Sequence, residues 1–222
     1  MAPRNKPIRK KAPAPVPPPK HKSNRSMIIA LAIIAVIIVV FGLVVATGQL
    51  NPSSSTDTDP YSNAQEVLLQ TSMGNITIAL RNDKPITTAN FINLANEGVY
   101  DNTIFHRVIA GFMIQGGDPT GTGYGDLSIP TIQDETNVGS DNHNYNGTIA
   151  MANTGAANSA SSQFFINVAD NNNRYASFDN SYTVFGKVVS GIDVVMQISQ
   201  VATDSSDKPL QDVTLISATV LP

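Results

Sequence analysis

"FHRVIAGFMIQGGDPTGTGYGD", residues Phe105 to Asp126, sets one permanent cation, Arg107, inside a largely apolar run and follows it with Gly116, Gly117, Gly121, Gly123 and Gly125. A guanidinium stays protonated at any working pH, so a stretch that could be buried as plain strand is committed to holding a charge. The glycines do not account for that charge. Their spacing is neither G-x-G-x-x-G nor G-x-x-x-x-G-K-[ST], and no helical pattern follows that could aim an N-terminus at a phosphate, which excludes a nucleotide cradle.

On both sides of this stretch the chain reads as short strands. "EVLLQTSMGNITIAL", Glu66 to Leu80, holds two β-compatible runs around a turn at Ser72 to Asn75 and predicts a hairpin. "KPITTANFINLANEGVY", Lys84 to Tyr100, has Pro85 near a helix start, Phe91, Leu94 and Ala95 at helical spacing, and Gly98 as the stop. Further β-like runs follow at "TIAMA", "SQFFINV" and "YTVFGKVV", then a short helix over Gly191 to Ile198 and a last strand, "VTLISATVL". Many short strands, few helices and glycine-rich turns predict a mainly β domain built on a closed or sandwiched antiparallel sheet.

This domain occupies residues 66–222, and three segments precede it. Residues 1–26 form a basic, proline-rich tail whose "APAPVPPPK" favours polyproline II, either as a recognition motif or as a stiff spacer drawn to anionic headgroups. Met27 to Ala46, "MIIALAIIAVIIVVFGLVVA", is twenty residues without charge or proline, the length of one transmembrane helix. A cleaved signal peptide is the rival reading, although its apolar stretch and leader are longer than that class uses. Residues 47–65 are polar and rich in Ser, Thr, Asp and Pro, as a solvated linker is. Eight cations and no acid lie before the apolar run, while six cations and all seventeen acids follow it. Basic flanks stay on the cytoplasmic side, so the N-terminus is expected inside and the acidic C-terminal domain outside, as a single-pass membrane protein.

Most catalytic chemistries lack their residues here. With no cysteine and only His21, His106 and His143, a zinc site would have to be assembled from unmarked carboxylates. "DNHNYNG", Asp141 to Gly147, alternates oxygen side chains before a glycine, but Asn153 stands where a calcium loop needs a closing Glu. No G-x-S-x-G is present, and nothing local ties a serine to a histidine. No metal, cofactor or nucleic-acid partner is expected.

What remains is a site without a titrating nucleophile. Arg107 stands among Phe105, Phe112 and Met113, with the amide side chains of Gln115, Asn153 and Gln163 also available. Guanidinium and amides can donate to peptide carbonyls while Phe and Met line a slot for an apolar ring, which suits a peptide ligand. The competing reading is a structural arginine bridging two strands, with Phe112, Met113 and Phe165 as ordinary core.

"FHRVIAGFMIQGGDPTGTG", together with "GTIAMAN", "SSQFFINVAD" and "YTVFGKV", resembles the cyclophilin family of peptidyl-prolyl cis-trans isomerases, especially its compact prokaryotic type. Four motifs in the family's order cover roughly Glu66 to Pro222. The resemblance implies a closed eight-stranded antiparallel β-barrel capped by two helices. It makes Arg107 the catalytic arginine, puts Phe112, Met113 and Phe165 around the substrate proline ring, and gives Gln115, Ala152, Asn153 and Gln163 the peptide backbone. Phe178 stands where the family usually has leucine, and Tyr182 where many members have histidine. Ser177 replaces a tryptophan that many eukaryotic members use for cyclosporin, which leaves binding of that drug doubtful. The implied activity is isomerisation of X-Pro bonds in proline-containing polypeptides during folding of exported proteins. A tethered proline-peptide binding module or holdase with little turnover is the alternative.

Overall fold

Alternation of apolar residues fixes the first hairpin. Val67 and Leu69 on β1 (Glu66–Thr71) and Ile76, Ile78 and Leu80 on β2 (Gly74–Leu80) are fully buried, and Thr71 pairs with Gly74 across the two-residue turn. The computed structural model describes residues 59–139, 141–172 and 177–222. The expectations for residues 1–26, for the apolar run 27–46 and for 47–58 of the linker lie outside these residues. Among the described residues no helix is long and apolar enough to cross a membrane. Residues 59–65 are fastened to the domain: Asn82 N donates to Pro60 O at 2.9 Å, Leu80 N to Gln65 O at 2.9 Å, and Lys187 Nζ sits 3.9 Å over the Tyr61 ring.

Helix α1 (Pro85–Asn96) begins at its proline and is stopped by Gly98, whose φ of 71° is left-handed and lets Val99 N reach back to Leu94 O. Its N-cap position, Lys84, supplies no side-chain cap. The carboxylate of Glu135, far along the chain, accepts from Ile86 N at 3.1 Å and Thr87 N at 2.8 Å, while buried Lys84 Nζ donates to the Glu135 and Val138 carbonyls.

The remaining strands are β3 (Thr103–Ile104), β4 (Arg107–Ile109), β5 (Met113–Gly116), β6 (Thr148–Met151), β7 (Phe164–Asn167), β8 (Val184–Ser190) and β9 (Thr214–Val220). Two helices interrupt them, α2 (Phe178–Ser181) and α3 (Ile192–Ile198). All nine strands form one antiparallel sheet in the order β3-β9-β1-β2-β8-β6-β7-β5-β4.

The closed eight-stranded barrel with two capping helices is therefore corrected to a nine-stranded half-barrel with three helices among the described residues. Its edge strands, β3 and β4, share no ladder; the bridge Ile104↔Asp118 ties β3 instead to the chain just past β5. The reason lies after β5. Gly117 turns at φ 78°, where a Cβ would stand 2.7 Å from the Phe164 ring, so glycine fills the turn that ends β5, and beyond it the chain meets β3 only at that bridge. Packing closes the gap: Gly116 lies so near Phe105 and Ile104 O that a Cβ would come within 3.3 Å of both.

The core inside the curl is aromatic. Phe164 meets Phe91, Tyr100 and Phe105 at ring-centroid distances of 5.6, 5.7 and 6.4 Å, each edge-on, and Phe91 also contacts Phe185 at 5.1 Å. The Tyr100 hydroxyl donates to Ser162 O at 3.2 Å, so the one polar atom on these rings is satisfied.

Candidate active site

Register, more than proximity in sequence, builds the site. Arg107 on β4 pairs with Gln115 on β5, Gln115 with Phe165 on β7, and Phe165 with Ala150 on β6, a row of four residues crossing four strands. Cross-strand partners project to the same face, so these side chains share the outer surface. Their neighbours Val108, Ile114, Phe164, Ile166, Ile149 and Met151 point the other way into the main core.

Strands buried on one face only would leave this row in water. Instead a second, smaller apolar cluster covers it: Met113, Ala150, Phe165, Phe178 and Val184, with Ile109, Phe112, Ala152 and Tyr182 packed against them. This is why every residue of β7 is buried, the polar Asn167 included. Its amide is held by Asn144 and Thr148 side chains, and its oxygen accepts from Asn171 Nδ2 at 2.8 Å.

The cluster does not close over itself. It surrounds an open hollow of about 180 Å³ lined by Arg107, Phe112, Met113, Gln115, Ala152, Asn153, Phe165, Phe178 and Tyr182. Larger clefts occur elsewhere on the described surface, for example beside Tyr61, Arg81 and His143, but they gather none of these residues. Phe165 stands edge-on to Tyr182 at 5.3 Å and to Phe178 at 6.2 Å, and Phe178 reaches Phe112 at 5.9 Å, so the hollow has aromatic walls on three sides. Of the residues given a substrate-contacting role by the resemblance, Gln163 alone stays off the lining, and Phe105 turns into the main core. Gln163 accepts from Gln115 Nε2 at 2.9 Å and donates to Gly123 O at 3.1 Å, tying the rim to the glycine-rich loop.

Several anchors were not evident from the sequence. The one-turn helix α2 carries Phe178 into the wall, and Asn142 holds its end by donating to the Asp179 and Tyr182 carbonyls. Exposed Ser177 stands at its N-cap. Asn153 Nδ2 donates to Ser181 O at 2.6 Å and fixes the far rim. Asp207, a hundred positions from Arg107, accepts from its Nε at 3.4 Å. No spacing signal links residues so far apart; Asp204 to Lys208 reads only as a polar turn.

Residues 66–220 match the family described as cyclophilin type peptidyl-prolyl cis-trans isomerase/CLD. The chain belongs to the cyclophilins. It is 46% identical over 157 residues to a peptidyl-prolyl cis-trans isomerase of Schizosaccharomyces pombe, covering 70% of this chain and 98% of that one. To peptidyl-prolyl cis-trans isomerase A of Dickeya dadantii it is 46% identical over 146 residues, 65% of this chain and 76% of that one. Among solved structures, a cyclophilin type peptidyl-prolyl cis-trans isomerase of Cryptosporidium parvum, determined in the presence of the dipeptide Ala-Pro, superposes with a TM-score of 0.63 at 30% identity, covering 71% of this chain and 99% of that one. The enzyme is thus a peptidyl-prolyl cis-trans isomerase, and the hollow is its candidate active site.

Two buried groups of the isomerase hold the glycine-rich loop beside that hollow. Asp118 is fully buried; burial alone would raise its pKa, but bonds from Thr120 N and Oγ1, Gly125 N and Gly123 N outweigh it and hold the carboxyl below its ordinary value. Gly123, at φ 83°, approaches His106 so closely that a Cβ would stand 3.2 Å from the ring. Burial pushes the His106 pKa down against the opposing pull of Asp118, so the ring is neutral at physiological pH.

Proposed function

We propose that the isomerase acts through Arg107 as the catalytic donor, with the proline ring held by Phe112, Met113 and Phe165, and the flanking peptide held by Gln115, Ala152, Asn153 and Gln163. Phe178 and Tyr182 complete the wall. One observation carries this reading: the guanidinium stands at the edge of an aromatic hollow that opens to solvent, a position useful for a ligand and unnecessary for a structural bridge.

The chemistry requires no bond to another atom. Rotation about X-Pro meets a barrier of about 18 to 20 kcal/mol because it destroys amide resonance. In the twisted state the prolyl nitrogen regains a lone pair and accepts a hydrogen bond, which the planar ground state cannot do. A donor aimed there therefore stabilises the transition state selectively. Arg107 suits this because its Nε is engaged by Asp207, and among the described residues its Nη groups have no hydrogen-bond acceptor in the protein. The aromatic walls keep the ring still while the preceding carbonyl turns. The Ala-Pro dipeptide present with the Cryptosporidium parvum relative supports a proline peptide as ligand.

No group has to gain or lose a proton in this scheme, and burial moves the His106 pKa downward, away from this range. The rate constant for cis-trans exchange of a proline test peptide by the full-length protein is expected to be flat between about pH 6 and 8. A bell-shaped profile would contradict the mechanism.

The reading also extends to place. The eight cations before Met27 and the net negative charge after Ala46 support a cytoplasmic tail, a membrane anchor over residues 27–46 and an isomerase domain on the outer side, where exported proteins fold. Slow prolyl steps limit folding there as elsewhere. Protease added to intact cells is expected to digest the domain and spare an epitope on the tail; protection of the domain until lysis would refute the orientation.

A further inference from the structure

We infer that Asp207 is a positioning residue for Arg107, presenting the guanidinium to the hollow with its Nη edge outward. This rests on the assignment of Arg107 as the catalytic donor. Three observations carry it.

The first is contact. Arg107 Nε donates to Asp207 Oδ2 at 3.4 Å, with the two side chains 44% and 43% exposed. An exposed pair at that distance adds little to stability. Its effect is therefore directional. A long side chain on a three-residue edge strand has no other hydrogen-bonded restraint among the described residues, and an acceptor on Nε leaves the two Nη groups free to point at a ligand.

The second is how firmly Asp207 is held. Val108 N, next to Arg107 on β4, donates to Asp207 O at 2.8 Å, which locks the loop to the strand that carries the arginine. Within the loop, Asp207 N donates to Asp204 O at 3.2 Å and Asp204 N to Lys208 O at 2.8 Å. The Asp204 carboxylate is occupied by Ser206 N at 2.8 Å and Lys208 N at 3.0 Å, so Asp207 is the acid of this loop that faces Arg107.

The third is backbone conformation. Asp207 has φ 64°, in the left-handed region that glycine enters without penalty and that Asp enters at a smaller cost than most residues with a Cβ. A carboxylate stands where glycine would be conformationally easier, and less common backbone conformations are held beside functional groups where they serve function.

The two roles, structural and positioning, separate cleanly by experiment on the full-length protein. Asp207→Gly relieves the backbone and removes the carboxylate, so thermal stability is expected to hold or rise. Cis-trans exchange of a proline test peptide, measured by NMR, is expected to fall roughly tenfold in kcat with KM nearly unchanged. Asp207→Asn is expected to fall similarly, and Asp207→Glu to recover part of the rate. In an Arg107→Ala background, Asp207→Asn is expected to cause no further loss. Parent-like kcat in both Asp207→Gly and Asp207→Asn, with Arg107→Ala inactive, overturns the positioning role and leaves the catalytic assignment standing. A folded Arg107→Ala with full rate removes the assignment and this inference together. An equal loss with and without Arg107 shows that Asp207 acts independently and also overturns it.

Discussion

Arg107→Ala is expected to lose about 10²- to 10³-fold in kcat/KM for a proline test peptide while remaining folded, the scale seen when one transition-state donor is removed from an active site. Folding should survive because the side chain is 44% exposed and its one ion pair, to Asp207, is a surface pair. Most of the loss should appear in kcat, since peptide binding is left to the aromatic walls and the amides around them. Arg107→Lys is expected to recover little: an ammonium is a point charge and cannot engage Asp207 on one edge and the peptide on the other. Circular dichroism and a melting curve beside the kinetics are the check. A variant that loses rate and fold together would make the arginine structural.

The second large effect separates two adjacent phenylalanines. Phe164→Ala is expected to cost about 3–5 kcal/mol of stability, a large share of the roughly 5–15 kcal/mol that holds a domain. The ring is fully buried at the junction of Phe91, Tyr100 and Phe105, and the edge-on contacts there are lost with it. Phe165→Ala removes a ring of the same size from the opposite face, where one side already borders the open hollow. Its unfolding cost is expected to be smaller and its loss of kcat/KM larger, because an aromatic wall of the hollow proposed to hold the proline ring goes with it. Urea unfolding and peptide exchange on both variants test this. Equal stability losses with equal residual rates would mean that the outer cluster is only a second core.

That contrast shows what the strands hide from sequence reading. "SQFFINV" is continuously apolar around its centre, and nothing in it tells which Phe faces which core, since both faces of β7 are covered. The pairing Gln115↔Phe165 and its extension to Arg107 decide the matter, and those partners lie on other strands. Local signals fared better. Turn chemistry fixed the first hairpin, and Pro85 and Gly98 bracketed α1, because each acts on its own few residues. The single-turn α2 has no such signal: four residues are too few to show a helical period, and tertiary bonds from Asn142 help to hold it.

Barrel closure failed as an expectation for a related reason. Whether two sheet edges pair depends on where the chain leaves β5, here at the Gly117 turn packed on Phe164, which is a tertiary feature that neither strand's own sequence records. The cap of α1 likewise comes from Glu135, a residue in a loop whose own backbone N donates to Thr183 Oγ1 at 3.0 Å.

By itself, the sequence determined the mainly β character, the places of the local turns and α1, and, through four ordered motifs, the family and the set of residues around Arg107. These follow from short-range chemistry and from residue identity. Only the tertiary structure decided the edge-open sheet, the row that aligns Arg107, Gln115 and Phe165, the wall built by α2 and the carboxylate of Asp207 beside the guanidinium. Each of those depends on register and on loops meeting across a hundred positions, and contacts between distant residues are fixed by packing, which no local pattern records.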